Sequence, residues 1–332
     1  MSRFCGLRTC IPPSIPRRAR CRPCAASPLT CRRGEIVGVV GESGCGKSVT
    51  ASSILRVLPE NAWHSEGRIL FMGRDLLTLS PSQMRAVRGR QISMIFQDPM
   101  TSLGPLMRIG RQIEEAILQS IDGVTRAQAR ERALDMLRRV HIPDPESRYN
   151  CYPHELSGGM RQRVMIAIAL SCQPKLVIAD EPTTALDVTI QAQILDLLAS
   201  LQKQLGTAVI MITHDLGVIA GMCSRVAVMY GGVIVEQGTV REIFYEPRHP
   251  YTWGLLRSIP KMTERKDEKL IPINGTPPDM LCPPKGCPFA PRCPYAMPVC
   301  RKYLAPNTVL GETHSCACHL LHPNAPKVER GL

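Results

Sequence analysis

The chain has 332 residues, 44% of them hydrophobic, so it can bury a core of ordinary size and leave room for a second, smaller domain. Its longest apolar stretches fall far short of the roughly 18 residues that a membrane span needs, which argues against an integral membrane protein. The formal charge of +13 is concentrated at the start, where residues 1–34 carry eight arginines and no acid, so it does not predict nucleic-acid binding by the rest of the chain.

The 15 cysteines do not predict a disulfide framework, because the chain is long and no secretory signal is apparent. We expect a cytosolic chain, in which free thiols and metal ligands are the better interpretation. Residues 1–30 are rich in cysteine, arginine and proline and have almost no apolar periodicity. Three interpretations compete for them: a disordered basic tail, a small zinc knot that uses Cys21 and Cys24, and a translation in the wrong frame.

The genetic code favours the third interpretation. When Phe4 to Ser27 are re-read one base out of frame, with degenerate bases chosen favourably, the string alternates like a strand and contains a turn glycine. Removal of one base at Pro28 then rejoins the written sequence at Leu29. We therefore favour a one-base frame error for this segment, and the nucleotide sequence would decide it.

A phosphate-binding loop follows the first clear strand. Glu35–Val40 has a strand pattern, Val49–Val57 has a helix pattern, and a glycine-rich loop connects them. The glycines allow backbone N–H groups to wrap phosphates, Lys47 supplies a positive charge, and the Ser48 hydroxyl can ligate Mg²⁺. The loop consists of Gly41, Glu42, Ser43, Gly44, Cys45, Gly46, Lys47 and Ser48, and Val49 follows it.

The next segments predict two strands and a helical insert. Gly67–Met72 and Gln91–Phe96 are strand-like, and the second of these strands leads to Gln97. Ile109–Ser120 and Thr125–Val140 predict amphipathic helices, because their apolar residues keep the helical spacing with charges on the other face. We expect these helices to form an insert that follows Gln97.

A serine–glycine turn opens the next predicted helix. Ser157 stands where an N-cap belongs, and Gly158 and Gly159 follow it before the helical run Arg161–Leu170. The bare N–H groups and the positive dipole end of such a helix suit an anion. The turn therefore predicts an anion-binding element in addition to the phosphate loop.

Two adjacent carboxylates end a buried strand. Leu176–Ala179 is a short apolar run that is typical of a parallel strand, and Asp180 and Glu181 follow at its carboxyl end, where ligands of open α/β sheets bind. One carboxylate there can hold a Mg²⁺ shell, while its neighbour polarises an attacking water. Asp187 then precedes a further helix, in which leucines and isoleucines recur at helical spacing.

The last elements of this body are a strand and a hairpin. Ala208–Ile212 predicts a strand in the same alternation as the one that ends at Asp180, and His214 follows it. A single histidine at a strand end is more often structural than catalytic, but its place in this alternation favours a role at the site. Val226–Tyr230 and Val233–Glu236 predict a hairpin around two glycines.

In their order and spacing, these motifs resemble those of an ABC-type ATPase over residues 31 to about 245. The matching segments are Gly41–Ser48 for the phosphate loop, Gln97 for the Q-loop, Leu156–Gln162 for the signature, Leu176–Glu181 for Walker B, Ala185–Asp187 for the D-loop and His214 for the switch histidine. The resemblance implies an α/β P-loop NTPase fold of the ABC type. Such a fold has a RecA-like core, a helical subdomain and an antiparallel β subdomain, whose first strands we expect to be damaged or missing here.

The resemblance also implies roles for these residues. Glu181 would be the catalytic base, His214 would contact the γ-phosphate of ATP, and Gln97 would join metal, water and the helical insert. The Mg²⁺ ligands would be Ser48, Gln97 and Asp180, and the residues expected to act on the ATP of a partner subunit are Ser157, Gly158, Gly159 and Asp187.

Composition changes after Phe244 to a proline-rich, weakly periodic segment that contains four notable cysteines. These are Cys287, Cys293, Cys300 and Cys318. Their intervals are not those of a zinc finger, and thiolates beside prolines suit an iron–sulfur cluster better. Four free cysteines in a loop-rich tail are the plain alternative.

This segment resembles the C-terminal extension of the oligopeptide/dipeptide permease ATPases. The resemblance includes the start His249–Tyr251, the run Gly275–Pro278 and the run Cys318–Leu320. It implies a 4Fe-4S cluster on the four cysteines, with Cys316 as a competitor of Cys318 for the fourth position.

We therefore predict three segments: an aberrant stretch 1–30, an ABC ATPase domain 31–245 with a helical insert at about 98–160, and an extension 246–332 with the cysteine site. The predicted function is ATP hydrolysis that drives a bacterial ABC importer of di- or oligopeptides. Two alternatives remain, a soluble ABC ATPase that acts on nucleic acid or ribosomes and an inactive pseudogene product.

The resemblance also implies partners and a location. We expect a second, paralogous ABC ATPase subunit, two transmembrane permease subunits, an extracellular substrate-binding protein reached through the complex, and no nucleic acid. The expected location is the cytoplasmic face of the bacterial inner membrane.

Overall fold

The computed structural model of the protein describes residues 5–8, 28–58, 67–184, 186–258, 272–280 and 283–329. The chain divides into two compact units. The first unit comprises Met1–Thr30, Val37–Leu77 and Thr213–Leu332, and the second comprises Cys31–Ile36 and Thr78–Ile212. Most of residues 1–30 lie outside the described residues, so the structure does not test the three interpretations of that segment.

The strands are β1 (Cys5–Arg8), β2 (Leu29–Cys31), β3 (Ile36–Val40), β4 (Arg68–Phe71), β5 (Arg74–Asp75), β6 (Ile92–Ile95), β7 (Leu176–Asp180), β8 (Ala208–Thr213), β9 (Arg225–Tyr230), β10 (Val233–Thr239), β11 (Thr308–Val309) and β12 (Ser315–Cys316).

The helices are α1 (Lys47–Leu55), α2 (Pro81–Val87), α3 (Pro99–Ser102), α4 (Ile109–Ser120), α5 (Arg126–Arg139), α6 (Pro145–Arg148), α7 (Gly158–Leu170), α8 (Val188–Leu205), α9 (Leu216–Met222), α10 (Val240–Tyr245), α11 (Pro250–Arg257) and α12 (Pro298–Lys302).

The main sheet of the first unit runs in the order β11-β12-β10-β9-β3. Strand β3 is parallel to β9, whereas β10 is antiparallel to both β9 and β12. Gly231 (φ 52°) and Gly232 (φ 79°) join β9 to β10, and two successive left-handed residues are what a tight two-residue hairpin requires. The predicted hairpin is therefore confirmed.

A smaller sheet in the first unit runs in the order β2-β1-β4-β5. Strand β1 is antiparallel to β4, with Cys5 opposite Phe71 and Arg8 opposite Arg68. We expected the first strands to be damaged or missing; β1 and β2 are not missing, but they have only four and three residues. Sequence periodicity could not find them, because a four-residue and a three-residue strand are defined by pairing with a neighbour rather than by their own pattern.

The second unit contains the parallel strands β8, β7 and β6, in this order. Strands β7 and β8 are buried along their whole length, which explains why their sequences are continuously apolar rather than alternating. Helices α4 and α5 contact each other, and their buried residues recur at helical spacing. These residues are Ile109, Ile113 and Ile117 in α4 and Ala129, Ala133 and Leu137 in α5, all 0% exposed.

The structure confirms the strands and helices that were predicted between Glu35 and Glu236, with small shifts at their ends. The helices that were not predicted as elements are α2, α3, α6, α9, α10, α11 and α12. In the segment after Phe244, β11 and β12 extend the sheet beside β10 although their sequences are too short to show a pattern. Within the described residues, we find no helix whose length and apolar character would let it span a membrane.

Candidate active site

The phosphate loop lies between β3 and α1 in the first unit. Gly44 (φ 76°) and Gly46 (φ 102°) adopt left-handed backbone conformations, which a residue with a Cβ rarely takes. Gly46 is also the N-cap of α1, so the free N–H groups of the first helical turn follow the loop directly. Together these features fit a bound phosphate, because backbone N–H groups and the helix dipole both favour an anion.

Lys47 is held inside this loop. Its side chain is 5% exposed, and its Nζ donates to the carbonyl oxygens of Gly41 at 2.8 Å and Glu42 at 3.1 Å. The neighbouring Ser48 is exposed, as a metal-ligating hydroxyl must be. The structure thus presents the two loop side chains that the sequence identified, one fixed by the loop and one accessible.

The acidic pair lies at the end of β7 in the second unit. Asp180 is the last residue of the strand and is 5% exposed, whereas Glu181 is half-buried. Glu181 has a φ of 45°, in the left-handed region that non-glycine residues usually avoid, and its N–H donates to the carbonyl oxygen of Ile212 at 2.9 Å. Backbone strain of this kind costs about 1–3 kcal/mol and clusters at functional sites.

The structure brings Gln97 to this pair although 84 residues separate it from Glu181. The Gln97 amide donates to Glu181 Oε2 at 3.1 Å, and the Thr184 hydroxyl donates to the same oxygen at 2.9 Å. The glutamate is therefore oriented by two neutral donors. Sequence reasoning missed Thr184, although Pro182 directly after Glu181 is typical of the second position of a turn, which brings the residue three positions on close to the glutamate.

The signature turn is exposed at the start of α7. Ser157 caps this helix, because its hydroxyl accepts from the Met160 N–H at 3.3 Å, and Gly158 is exposed beside it. A Cβ on Gly159 would lie 2.9 Å from Ile190 Cγ2, so this position packs tightly against α8. The predicted cap at Ser157 is confirmed, and the bare turn remains accessible.

Asp187 caps α8, and its carboxylate accepts from the Ile190 N–H at 2.9 Å. His214 directly follows β8 and is exposed. The adjacent Asp215 caps α9 by accepting from the N–H groups of Gly217 and Val218. The predicted positions of Asp187 and His214 at element ends are therefore confirmed. Ala185 lies outside the described residues.

The four cysteines lie in the first unit, close enough to influence one another. The pKa of Cys287 is raised to about 11, mainly by burial, and the charges of Cys300 and Cys293 contribute to this rise. The pKa of Cys318 is raised to about 12, mainly by burial, and the charges of Cys287, Cys293 and Cys300 contribute to this rise. Among the described residues, no three histidine, cysteine, aspartate or glutamate side chains are placed to hold one metal ion.

Comparisons with known proteins agree with this geometry. Residues 25–184 match the family model described as ABC transporter, and residues 235–300 match that of the oligopeptide/dipeptide transporter C-terminal region. The oligopeptide transport ATP-binding protein OppD of Bacillus subtilis (strain 168) is 55% identical over 90% of this chain and 83% of its own. The dipeptide transport ATP-binding protein DppD of Lactococcus lactis subsp. cremoris (strain MG1363) is 53% identical over 89% of this chain and 84% of its own.

Solved structures of ATP-binding cassettes share the fold. A dimeric post-hydrolysis cassette bound to ADP and Pi superposes with a TM-score of 0.62 at 27% identity, over 71% of this chain and 99% of that chain. The cbiO1 protein of Clostridium perfringens, part of an ABC transporter complex, gives a TM-score of 0.62 at 28% identity, over 74% of this chain and 92% of that chain.

These findings confirm the predicted fold class and do not favour the alternative of a soluble ATPase that acts on nucleic acid or ribosomes. From the phosphate loop, the oriented glutamate, the signature turn and the C-terminal match together, it follows that the chain belongs to the ATP-binding subunits of oligopeptide/dipeptide ABC transporters, which are ATP-hydrolysing transport proteins.

Proposed function

We propose that this protein hydrolyses ATP to drive the uptake of di- or oligopeptides through membrane partner subunits. The observation that supports it most is the contact of Gln97 with Glu181, because it presents an accessible carboxylate in a fixed orientation. The names of the relatives, which are oligopeptide and dipeptide transport proteins, support the class of substrate.

In this proposal different motifs supply different parts of the reaction. The loop Gly41–Ser48 binds the phosphates of ATP through backbone N–H groups and Lys47, while Asp180 supplies a hard oxygen ligand. Mg²⁺, when bound by Ser48, Asp180 and Gln97, would neutralise charge on the phosphates. The donor set fits this ion, because it consists of a hydroxyl, a carboxylate and an amide oxygen.

Glu181 acts as the general base. Its carboxylate accepts hydrogen bonds from Gln97 and Thr184, so one of its oxygens is oriented while the residue stays half-exposed and reachable by water. A proton removed from the attacking water would pass to this carboxylate. We assign to His214, exposed at the end of β8, the contact with the γ-phosphate.

The signature turn is proposed to act on the nucleotide of another subunit. Ser157 and Gly158 are exposed at the N-terminus of α7, and Asp187 is exposed at the start of α8. A helix start of this kind favours an anion. We therefore propose a dimer of ATPase subunits, with a paralogous chain as the partner, in which each signature faces the partner's ATP.

The remaining partners follow from the transport role. We propose that two transmembrane permease subunits bind this chain at the cytoplasmic face of the membrane, near Gln97 and helices α4 and α5. An extracellular substrate-binding protein would select the peptide. Exposed apolar side chains near the Q-loop, Phe96 and Met100 at 45% and 56%, support a protein contact there.

We also propose that Cys287, Cys293, Cys300 and Cys318 hold an iron–sulfur cluster. The support is that burial and the charges of neighbouring cysteines raise the pKa of Cys287, Cys293 and Cys318, so that a bound cationic centre would relieve the repulsion between thiolates. Iron and acid-labile sulfide, measured in protein that was purified without oxygen, test this; a full complement of four reactive thiols with no iron would contradict it.

The proposed hydrolysis is tested with Glu181→Gln in the assembled transporter. The amide keeps the size of the side chain but cannot accept a proton, so we expect phosphate release to fall by about a hundredfold or more while the Kd for ATP stays within about twofold. Glu312→Gln, at an exposed position of the C-terminal extension, is the control and should release phosphate at the wild-type rate. Undiminished hydrolysis by Glu181→Gln would reject the assigned role.

A further inference from the structure

The C-terminal extension reaches the phosphate loop at Glu42. The Glu42 N–H donates to the phenol oxygen of Tyr251 at 2.9 Å. Its carboxylate accepts from both terminal nitrogens of Arg292, at 2.6 Å and 3.1 Å. Its carbonyl oxygen accepts from Lys47 Nζ at 3.1 Å. Glu42 therefore connects the phosphate-binding lysine to two residues of the extension.

The Arg292 side chain is itself fixed by hydrogen bonds. A guanidinium has five N–H donors, and here all five are used. Besides the two bonds to Glu42, Nε donates to the Asn274 carbonyl oxygen at 2.9 Å, and the terminal nitrogens donate to the Tyr230 hydroxyl at 3.1 Å and the Ile273 carbonyl oxygen at 2.8 Å. The arginine can therefore hold Glu42 in one position, because its own rotamer is determined by three other neighbours, Asn274, Tyr230 and Ile273.

The backbone at Gly275 leaves space for the Arg292 side chain. Gly275 has a φ of 84°, and a Cβ at this position would approach Arg292 Cγ to 3.3 Å. A side chain there would strain the backbone and crowd the arginine. The positive φ and the limited space beside Arg292 therefore both favour glycine at position 275.

The ion pair between Arg292 and Glu42 is shielded from water. The side chain of Arg292 is 6% exposed and that of Glu42 is 24% exposed. A two-pronged arginine–carboxylate contact constrains orientation more than a lysine could, because both groups are planar. Removal of the arginine would leave a partly buried carboxylate without its partner, and the loop would have to move to hydrate it.

Tyr251 is fixed by an aromatic cluster. It is 0% exposed, and its ring centroid lies 4.5 Å from that of Tyr230 and 5.3 Å from that of Phe289. Tyr230 in turn bonds Arg292, so the two contacts to Glu42 belong to one packed group. The group draws its members from β9 and from the extension.

We propose that the C-terminal extension positions the phosphate loop for ATP, with Arg292 and Tyr251 as positioning residues that act through Glu42 on Lys47. This inference rests on the proposed ATP-binding role of the loop and goes beyond it, because it assigns the extension a part in nucleotide affinity. The positioning acts on binding, so loss of Arg292 raises the KM for ATP more than it lowers kcat.

The first test compares Arg292→Met with three other variants of the full chain, using the fluorescent analogue MANT-ATP. We expect the Kd to rise about tenfold in Arg292→Met, with a smaller rise in Arg292→Lys and in Tyr251→Phe. Arg301→Met removes an exposed arginine of the same extension and should leave the Kd unchanged.

A second control separates positioning from simple loosening of the extension. Thr252 donates to the buried Glu236 at 2.6 Å and does not contact the loop in any hydrogen bond described. Thr252→Val should therefore lower the melting temperature without changing the Kd for MANT-ATP. Equal rises in Kd for Thr252→Val and Arg292→Met would overturn the proposal, because any damage to the extension would then suffice.

The decisive measurement is a double-mutant cycle of Arg292→Met with Glu42→Gln. If the arginine acts through Glu42, it has little further effect on the Kd once the carboxylate is gone, whereas independent effects would multiply. Multiplying effects would overturn the proposal. Lys47→Ala tests the proposed ATP site separately from the positioning role. If Lys47→Ala bound MANT-ATP with the wild-type Kd, the ATP site itself would be contradicted.

Discussion

The phosphate loop and the acidic end of β7 both follow a buried parallel strand, yet they are held in opposite ways. The phosphate loop is enclosed by its neighbours. Gly41 lies against the carbonyl oxygen of Met229, and Lys47 is 5% exposed. Arg292 donates two hydrogen bonds to the Glu42 carboxylate. Glu181 is half-buried, has a left-handed backbone, and is contacted through its side chain by Gln97 and Thr184.

This difference matches the different chemical requirements of phosphate binding and proton transfer. A loop that must match the shape of a polyphosphate needs its backbone fixed in advance, which close packing provides. A carboxylate that must take a proton from water needs access, which close packing would remove. Substitutions around the loop should therefore cost stability, whereas substitutions around Glu181 should cost turnover and leave stability unchanged.

The largest effect is expected from Gly41→Ala. A Cβ here would lie 2.2 Å from the carbonyl oxygen of Met229 and 2.7 Å from Cys45 Sγ, and backbone cannot move aside cheaply. We expect a loss of more than about 3 kcal/mol in the free energy of unfolding, measured in urea. Gly44→Ala, in the same loop but with open space around its Cβ, should lose about 1 kcal/mol from its positive φ alone. Equal losses would contradict the enclosed character of the loop.

The second effect concerns His249, which caps α11 in the extension. Burial lowers its pKa to about 4, and its Nε2 has no hydrogen-bond partner among the described residues. The unfolded chain takes up this proton near pH 6.5, whereas the folded chain does so only near pH 4. Stability from neutral His249 is therefore complete above pH 6.5 and is lost as the pH falls towards 4, by up to about 3 kcal/mol.

The measurement for this prediction is the urea midpoint between pH 7.5 and 4.5. His249→Asn keeps a side chain that can cap α11 but does not titrate, so its stability should fall less steeply with acid than that of the wild type. His154→Asn, at an exposed position in the second unit, should keep the wild-type slope. An unchanged slope in His249→Asn would show that the histidine is not buried in its neutral form.

The third prediction concerns the accessible region around Glu181. Gln97→Ala removes the amide that donates to Glu181, so we expect ATP turnover in the assembled transporter to fall about tenfold. The free energy of unfolding should change by less than about 0.5 kcal/mol, because Gln97 is exposed. Gln204→Ala, another exposed glutamine donor, on α8, serves as the control for turnover. A large loss of stability in Gln97→Ala would break the contrast between the two regions.

The smallest effect is expected from Thr184→Val, which removes one hydroxyl donor to Glu181 but keeps the shape of the side chain. A single neutral hydrogen bond contributes about 1 kcal/mol, so turnover should fall only about threefold to fivefold. Thr184→Ser retains the hydroxyl and should remain near the wild-type rate. If serine were as slow as valine, the hydroxyl would not be the group that orients the glutamate.

Much of the site could be predicted from the sequence because its signals are local. The loop Gly41–Ser48, the cap at Ser157 and the acid pair after β7 each depend on residues within a few positions of one another, and the structure places each at the element end that the sequence indicated. Backbone sterics and N-cap hydrogen bonds act over this same range. The positive φ of Glu181, in contrast, has no sequence signal, since glutamate is not a residue that favours it.

The sequence by itself determined the main strands and helices between Glu35 and Glu236, the phosphate loop, the signature turn and the identity of the carboxylates, because periodicity, glycine dihedrals and capping are properties of short segments. Only the tertiary structure decided which distant residues meet. Arg292 reaches Glu42 across 250 positions, Gln97 reaches Glu181 across 84, and two-residue strands at 308–309 and 315–316 become strands by pairing beside β10. Contacts of this kind depend on how packed elements bring their side chains together, which no short stretch of sequence encodes.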